Sequence, residues 1–208
     1  MMDPRIVVVD YGMGNIWSVL SALRYLGCNP IVTSEPDEVV RAQGLVLPGV
    51  GSFRKAMTTL RHTGLDKAIL EVVQNRGRKI LGICLGMQLM GSHGSEDGDT
   101  LGLGLIPIPV DKFTFEEIGV NKIPHIGFNS VRSKPDAIIF RSLPETADFY
   151  FVHSYRMLSA GLSGEVATCV HGTEFLAAYE KDNIFAVQFH PEKSQTNGLL
   201  LLKNFLAQ

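Results

Sequence analysis

The sequence predicts an α/β fold: a mostly parallel open sheet with helices on both faces, and antiparallel strands added in the second half. Two observations carry this prediction. Short apolar runs alternate with amphipathic stretches through roughly the first hundred residues, which is typical of parallel strands joined by right-handed helical crossovers. From about residue 103 to residue 187, strand-like runs follow one another with only turn residues between them, which favours antiparallel pairing.

The first half contains four strand-like runs with helical stretches between them. The strands are predicted at RIVVVD, PIVTS, LVLPG and KILGICLG, and two helical stretches cover about residues 53–76. RIVVVD is continuously apolar and rich in β-branched residues, as in a central strand buried on both faces. The first helix should have Asn15 as its N-cap and Gly27 as its stop. In the second helix, Ser34 should be the cap, Pro36 should lie in the first turn, and Gly44 should end the helix.

The second half should add antiparallel strands and a closing helix. The strand-like runs are LGLIPIPV, SVR, FYFVHSY, EVATCV, EFLAAYE and IFAVQFH, and the helix is SQTNGLLLLKNFLAQ. Residues 91–102, GSHGSEDGDTLG, form the most loop-like segment. Neither a repeat nor a linker divides the sequence, so we expect a single domain over residues 1–208.

Composition and charge exclude several classes of protein. Of the 208 residues, 45% are hydrophobic, and the formal net charge is −2, which gives no electrostatic reason to expect nucleic acid or a membrane surface as partner. No apolar run approaches the ~20 residues of a membrane span, so we expect a cytoplasmic protein. Cys28, Cys84 and Cys169 are widely spaced, which argues against a disulfide framework or a zinc site. Phosphate and dinucleotide motifs are absent from the sequence, and we expect neither a metal nor a cofactor.

One cysteine lies in an unusual setting, GICLG, between Gly82 and Gly86. This pattern has the form of a nucleophile elbow, with sulfur in place of the usual hydroxyl oxygen. Flanking glycines remove side chains that would collide at a sharp strand-to-helix turn and permit unusual backbone angles. The sulfur of Cys84 would then be exposed at a helix N-terminus, which favours the reactive thiolate. The backbone N–H of Leu85 would point towards a developing oxyanion.

A reactive thiol needs a base, and the base needs a group that orients it. The run VQFHPEKS supplies His190 at a strand end and Glu192 two residues later. Taken alone, His-Pro-Glu is more typical of a surface turn; combined with the cysteine elbow, it indicates a catalytic pair. His62, His93 and His171 are expected on the solvated surface. His125 and His153 lie beside apolar runs, where hydrogen-bonded core histidines are common.

Together, the runs LPGVGSF, GICLGMQ, FVHSY and VQFHPEKS resemble the class I, triad-type glutamine amidotransferases over nearly the whole sequence. The family's order of nucleophile, histidine and glutamate is met by Cys84, His190 and Glu192. More narrowly, DYGMGN, PGVGSF, PHIGFN and HPEKSQ are similar to the glutaminase subunits of imidazole glycerol phosphate synthase, which act in histidine biosynthesis. The resemblance implies a flavodoxin-like sheet and hydrolysis of glutamine to glutamate and ammonia.

The resemblance also implies roles for individual residues. Cys84 would attack the side-chain amide of glutamine, His190 would transfer protons, and Glu192 would hold the imidazole in the useful tautomer. The backbone N–H groups of Val50 and Leu85 would stabilise the oxyanion. The α-amino and α-carboxylate groups of glutamine would lie near Gly51, Gln88, Ser154 and Tyr155.

In this family the ammonia is used by a partner, a cyclase subunit with a (β/α)₈ barrel, which would form a heterodimer with this chain. The resemblance puts Asn15, His125, Phe128 and Lys193 on the face towards that partner. A sealed path between the two sites makes chemical sense, because free ammonia becomes non-nucleophilic ammonium at neutral pH.

Three departures from the family pattern bear on the identity of the acceptor. Phe128 replaces a usual tryptophan, Arg156 replaces a usual second tyrosine, and residues 108–125 differ from the common version. These positions are expected near the partner surface. A paralogous glutaminase that supplies ammonia to another synthase, for example in sugar amidination, is therefore an alternative. Two further hypotheses are another cysteine–histidine hydrolase, such as a peptidase, and a non-catalytic interaction module.

Overall fold

The computed structural model describes residues 5–134 and 137–208. Its strands are β1 (Ile6–Val9), β2 (Ile31–Thr33), β3 (Gly44–Gly49), β4 (Lys79–Cys84), β5 (His93–Gly94), β6 (Thr100–Leu101), β7 (Asp111–Lys112), β8 (His125–Arg132), β9 (Thr146–His153), β10 (Tyr155–Arg156), β11 (Glu165–His171), β12 (Thr173–Lys181) and β13 (Ile184–Val187). Its α-helices are α1 (Ile16–Tyr25), α2 (Pro36–Val40), α3 (Phe53–Thr63), α4 (Leu65–Leu70), α5 (Leu85–Leu89), α6 (Phe115–Ile118) and α7 (Gln195–Leu206). A π-helical turn covers Glu71–Asn75, and 3₁₀ turns cover Ile138–Phe140 and Pro191–Lys193.

Nine strands form the main sheet, in the order β2-β1-β3-β4-β13-β12-β11-β8-β9. The first five are mutually parallel, and the remaining pairs are antiparallel. This arrangement confirms the predicted mixed sheet. Because β13 lies parallel to β4, the chain that follows each of these strands emerges at the same edge, where ligands bind in open α/β sheets.

Helices cover both faces of the parallel part of the sheet. The alternate residues Ile6 and Val8 of β1 belong to one hydrophobic cluster with residues of α1 and α7. Val7 and Val9 belong to a second cluster with residues of α2, α3, α4 and α5. The uninterrupted hydrophobicity of β1 thus follows from burial on both faces, as predicted.

The helix boundaries differ from the sequence prediction in detail. Asn15 occupies the N-cap position of α1, but its side chain makes no capping hydrogen bond. Gly27 follows the end of that helix with φ +83°, as expected for a stop. In α2 the N-cap is Glu35 rather than Ser34, and Thr33 Oγ1 accepts the Glu35 N–H at 3.0 Å.

The predicted end of the second helix is also wrong. Helix α2 ends at Val40, and Gly44 begins β3 instead of ending the helix. A side chain at Gly44 would press on the side chains of Ile6 and Lys79, so this glycine permits close packing at the start of a central strand.

The predicted strand LGLIPIPV is wrong. Residues 103–110 form an irregular segment, with only an isolated bridge between Val110 and Gly94. Pro107 and Pro109 lack the N–H that a strand ladder needs. Leu103, Leu105, Ile106 and Val110 are nonetheless buried, because the segment packs over α5. The Ile106 N–H donates to Met90 O at 2.8 Å. The loop-like segment 91–102 contains the short hairpin of β5 and β6.

Candidate active site

Cys84 is the last residue of β4, and α5 begins at the next residue. The cysteine has φ 54° and ψ −112°, a conformation that costs a non-glycine residue about 1–3 kcal/mol and persists where the surrounding structure enforces it. The strand-to-helix turn predicted from the sequence is therefore present, with its strain at the cysteine.

The two flanking glycines allow α5 to pack directly against the sheet. A Cβ at Gly86 would collide with the carbonyl oxygen of Leu47 in β3. A Cβ at Gly82 would collide with Met90 and with the backbone of Met87. The glycines are therefore required by close packing, as the elbow hypothesis expects.

His190 reaches the same edge because it follows β13, the neighbour of β4. Its backbone N–H donates to Tyr150 O at 2.8 Å, and its Nδ1 lies 2.8 Å from Glu192 Oε1. The side chains of His190 and Glu192 are 3% and 1% exposed. The structure thus brings Cys84, His190 and Glu192 together.

The protonation of His190 depends on its two neighbours. Burial lowers the pKa of the imidazole, but hydrogen bonding and charge interaction with Cys84 and Glu192 outweigh this effect and raise the pKa to about 10. In the resting geometry His190 Nε2 is buried without an aligned hydrogen-bond partner in the described part of the chain. The Cys84 thiol instead faces Val152 O at 3.9 Å. A protonated imidazole here would favour a thiolate at Cys84.

A cavity of about 320 Å³ opens beside the cysteine. It is lined by every residue that the sequence assigned to substrate or oxyanion binding, namely Val50, Gly51, Leu85, Gln88, Ser154 and Tyr155, and also by Glu96, Pro124, Val152 and His153. Glu96 was missed because it lies in the loop-like segment, where an acidic residue is normally solvated. Burial raises the pKa of its carboxyl, although Oε2 accepts the Phe53 N–H at 2.9 Å.

The backbone of Val50 differs from the predicted oxyanion geometry. Its N–H donates to Met13 O at 3.3 Å and is therefore not available to the cavity. Leu85 is the first residue of α5, where N–H groups lack intrahelical acceptors. In this conformation the Val50 N–H is already used, and the oxyanion roles of Val50 and Leu85 stay predictions.

A pair of buried glutamines lies beneath the cavity. Gln88 Nε2 donates to Tyr155 O at 3.1 Å and to Gln188 Oε1 at 3.0 Å. Gln188 Nε2 in turn donates to Cys84 Sγ at 3.8 Å. Sequence reasoning missed Gln188 because it treated this residue as part of a strand; a polar residue within the apolar run IFAVQFH was the available signal.

Three of the residues predicted to face a partner are exposed, namely Asn15, Phe128 and Lys193. Phe128 packs edge-on against Tyr150, and Lys193 Nζ lies 5.7 Å from the centre of the Tyr150 ring. We call Phe128, Tyr150 and Lys193 the aromatic–lysine patch. His125 is only 4% exposed, so its side chain lies beneath the surface, and its predicted place on the partner face stays a prediction.

His125 belongs to a histidine cluster with His153 and His171. Its Nδ1 lies 3.0 Å from His153 Nε2, and its ring stacks on His171 with centroids 4.1 Å apart. Burial, together with neighbouring histidines, lowers the pKa of His125 to about 4 and that of His153 to about 3. The prediction of a solvated surface position is wrong for His171, which is half-buried in this cluster. Of the other two histidines with the same prediction, His62 is exposed and His93 is half-buried.

Arg156, which was predicted near the partner surface, has a buried side chain. It is 6% exposed, forms an ion pair with Glu117 of α6, and lies 5.7 Å from the centre of the Phe113 ring. Arg156 and the segment that contains Glu117 are both departures from the usual family sequence, and they contact each other through this partly exposed ion pair.

The findings on metal sites and membrane spans apply to residues 5–134 and 137–208. No group of three or more histidine, cysteine, aspartate or glutamate residues within these ranges is arranged to hold a metal ion. None of the helices in these ranges is both long and apolar enough to cross a bilayer.

Comparison with known proteins shows the family to which this chain is similar. The model of the glutamine amidotransferase class-I family matches residues 7–208. The imidazole glycerol phosphate synthase subunit HisH of Moorella thermoacetica is 46% identical over 200 residues, covering 96% of this chain and 93% of the relative. The HisH subunit of Chlorobaculum tepidum is 45% identical over 201 residues, covering 96% and 98%.

Solved structures agree on the fold. PurLQS from Thermotoga maritima superposes with a TM-score of 0.73 at 19% identity, covering 99% of each chain. At that identity the similarity supports the fold alone, whereas the family match extends over nearly the whole sequence. The chain therefore belongs to the class I glutamine amidotransferase family.

Proposed function

We propose that this chain is the glutaminase subunit of an imidazole glycerol phosphate synthase. It hydrolyses glutamine to glutamate and ammonia, and the ammonia is passed to a cyclase subunit for histidine biosynthesis. The observation that carries the proposal is the interaction of His190 with both Cys84 and Glu192, where Cys84 lines a cavity of about 320 Å³. The full-length similarity to HisH subunits gives the pathway.

The proposed reaction has two halves. The Cys84 thiolate attacks the carboxamide carbon of glutamine, and protonated His190 gives its proton to the departing nitrogen as the carbon–nitrogen bond breaks. Ammonia leaves, and a γ-glutamyl thioester remains. His190 then takes a proton from water, the resulting hydroxide attacks the thioester, and glutamate is released with the thiolate restored. Glu192 accepts the Nδ1 hydrogen and so keeps Nε2 directed at the reacting atoms.

We propose that the cavity recognises glutamine through its charged end. The Glu96 carboxylate would pair with the α-ammonium group, while polar backbone at Gly51, Ser154 and Tyr155 would meet the α-carboxylate. Both hydrogens of Gln88 Nε2 are used within the protein. Its Oε1 is therefore the atom left for the substrate, as an acceptor.

We further propose that a (β/α)₈-barrel cyclase binds this chain as a heterodimer in the cytoplasm. Asn15, Phe128 and Lys193 are exposed and Tyr150 is half-buried, and aromatic side chains such as these are enriched in interfaces. The patch lies next to the triad in the chain, since Lys193 directly follows Glu192. A partner docked there would cover the site and exclude water from the ammonia.

The glutaminase proposal is tested by glutamate release in a complex reconstituted with a cyclase subunit. Cys84→Ala is expected to abolish the release while leaving the complex assembled. Turnover retained in this variant would contradict the proposal. Glutamine, but not peptides, should protect Cys84 from a glutamine-mimicking alkylator, and protection by peptides would favour a peptidase.

The pathway is tested by growth. Expression of this chain should rescue a histidine auxotroph that lacks its own glutaminase subunit. If soluble protein accumulates and the cells still fail to grow, a paralogue serving another synthase is favoured. Cys84→Ala in the same strain should not restore growth.

A further inference from the structure

The sulfur of Cys84 has a polar neighbour that the catalytic triad does not account for. Gln188 is fully buried, and its Nε2 lies 3.8 Å from Cys84 Sγ. It follows β13 directly, and its backbone N–H continues the pairing with β12 by donating to Ala177 O at 2.8 Å. The sheet therefore fixes the backbone of Gln188 and places its side chain beside Cys84.

A backbone carbonyl determines the orientation of both buried amides. Tyr155 O can only accept, so the atom of Gln88 that faces it must be the amide nitrogen. The second hydrogen of that nitrogen is donated to Gln188, whose side-chain oxygen must therefore be the acceptor. The nitrogen of Gln188 is then directed at Cys84. His153 Nδ1 donates to the same carbonyl at 2.8 Å and holds it from the other side.

The sulfur consequently lies between two groups that favour opposite protonation states. Val152 O, at 3.9 Å, can accept the proton of a neutral thiol and repels a thiolate. The Gln188 N–H favours the thiolate, because hydrogen bonds that donate to an anion stabilise the charged form. Cys84 is only 6% exposed, so little water screens either interaction.

We infer that Gln188 is a positioning residue for the nucleophile: paired with Gln88, it donates an N–H that holds the Cys84 sulfur as a thiolate aimed into the cavity. The inference rests on the proposed role of Cys84 in glutamine hydrolysis. Gln88 then has two roles. Its nitrogen orients Gln188, which donates to the sulfur, and its oxygen faces the substrate.

The rate of alkylation of Cys84 by iodoacetamide, measured against pH on the full-length chain, reports the thiolate population. Mass spectrometry of the labelled peptide separates Cys84 from Cys28 and Cys169. The titratable groups that act on Cys84 are His190, together with Glu192, and Tyr11. His153 and Glu96 line the same cavity. All of these groups are kept in the variants below.

Gln188→Met removes the donor at nearly constant volume. Its alkylation midpoint should move up by about one pH unit or more, because a hydrogen bond to a charged group is lost. Gln188→Leu, which also lacks an N–H donor, should move the midpoint in the same direction. Gln43→Met, at an exposed glutamine far from the cavity, serves as the control and should leave the midpoint unchanged.

A residue that only packs would change the thermal midpoint of Gln188→Met and leave the alkylation midpoint where it was; that result overturns the inference. If Gln188→Met does not fold, Gln188→Leu decides, and an unchanged or lower midpoint overturns the inference equally. Glutamate release by the wild-type complex is measured in a separate assay, which tests the proposed function. A shifted midpoint without glutamate release would contradict the proposed function, whereas release with an unshifted midpoint would contradict only the assignment of Gln188.

Discussion

At the scale of single residues, the proposed chemistry depends on an imidazole that interacts with both a sulfur and a carboxylate. Despite burial, Cys84 and Glu192 raise the pKa of His190 to about 10. The ring therefore favours its protonated form at neutral pH and can stabilise a thiolate before glutamine binds. This arrangement makes His190 ready to protonate the leaving nitrogen, which is the first proton transfer that the proposed reaction requires.

Glu192→Gln should weaken both effects, because the amide cannot stabilise a positive charge on the ring as a carboxylate does. We expect glutamate release in the reconstituted complex to fall by about 10²–10⁴-fold. The pKa of His190 should fall, so the alkaline limb of the activity profile should move to lower pH. Glu174→Gln, at an exposed site, is a matched control. An unchanged rate and profile in Glu192→Gln would exclude Glu192 from the mechanism.

The buried histidines should limit stability in acid. His125 and His153 have pKa values lowered to about 4 and about 3, chiefly by burial. As pH falls below about 6.5, the unfolded chain binds protons that the folded chain does not, so their contribution to stability is lost as pH falls towards those values. His190 has the opposite shift: its contribution is fully present below about 6.5 and is lost as pH rises through about 10.

Urea denaturation at pH 7 and pH 5 measures this effect. At pH 5 each of the two histidines should cost about 2 kcal/mol relative to pH 7. His125→Gln should reduce the pH-dependent loss by that amount, whatever its effect at pH 7. His62→Gln, at an exposed histidine, should leave the pH-dependent loss of stability unchanged. An equal pH dependence in wild type and His125→Gln would contradict the burial argument.

At the scale of elements, the sequence predicted what local patterns encode. The parallel strands, the elbow at Cys84 and the His190–Glu192 pair each follow from short runs of residue types. Contacts between residues far apart in the chain could not be predicted from these local patterns. The apolar run at residues 103–110 packs over α5 instead of joining a ladder, and Gln188 is understood only once β13 is placed beside β4.

The packing of α5 on the sheet gives a prediction for Gly86. Gly86→Ala would place a methyl group against the Leu47 carbonyl, with backbone on both sides and no flexible side chain to yield. We expect a loss of about 3 kcal/mol in the free energy of unfolding, measured by urea denaturation. Gly14→Ala is the control, because its nearest neighbour would be 3.5 Å away. Equal stabilities would show that α5 can move off the sheet freely.

The contact between α6 and β10 yields a second prediction at this scale. Arg156 pairs with Glu117, whose side chain also completes the capping box of α6 with Thr114. Arg156→Met should destabilise the fold by about 2–3 kcal/mol, because a buried partner is removed. Glu117→Gln together with Arg156→Met should cost less than the sum of the two single changes. Strict additivity in this double-mutant cycle would mean that the two side chains act independently.

At the scale of the whole molecule, the loop after β1 connects the expected partner face to the cavity. Met13 accepts the Val50 N–H, and Asn15 is exposed two residues further along the chain. A cyclase that binds at Asn15 would press on the loop that engages Val50. Release of this N–H would give the cavity a second oxyanion donor beside Leu85, so partner binding and glutaminase activity should be coupled.

Val50→Pro tests the coupling, because it removes the N–H without changing the triad. One oxyanion donor contributes about 10²–10³-fold to the rate. Glutamate release by the wild-type chain should therefore rise by that factor when the cyclase binds. Val50→Pro should still bind the cyclase but should not show this rise. Val50→Ala keeps the N–H and should behave as wild type. Alkylation of Cys84 by iodoacetamide, which needs no oxyanion donor, should be equal in all three and verifies that the site is folded. Full partner activation of Val50→Pro would mean that Met13 and Val50 do not control the rate.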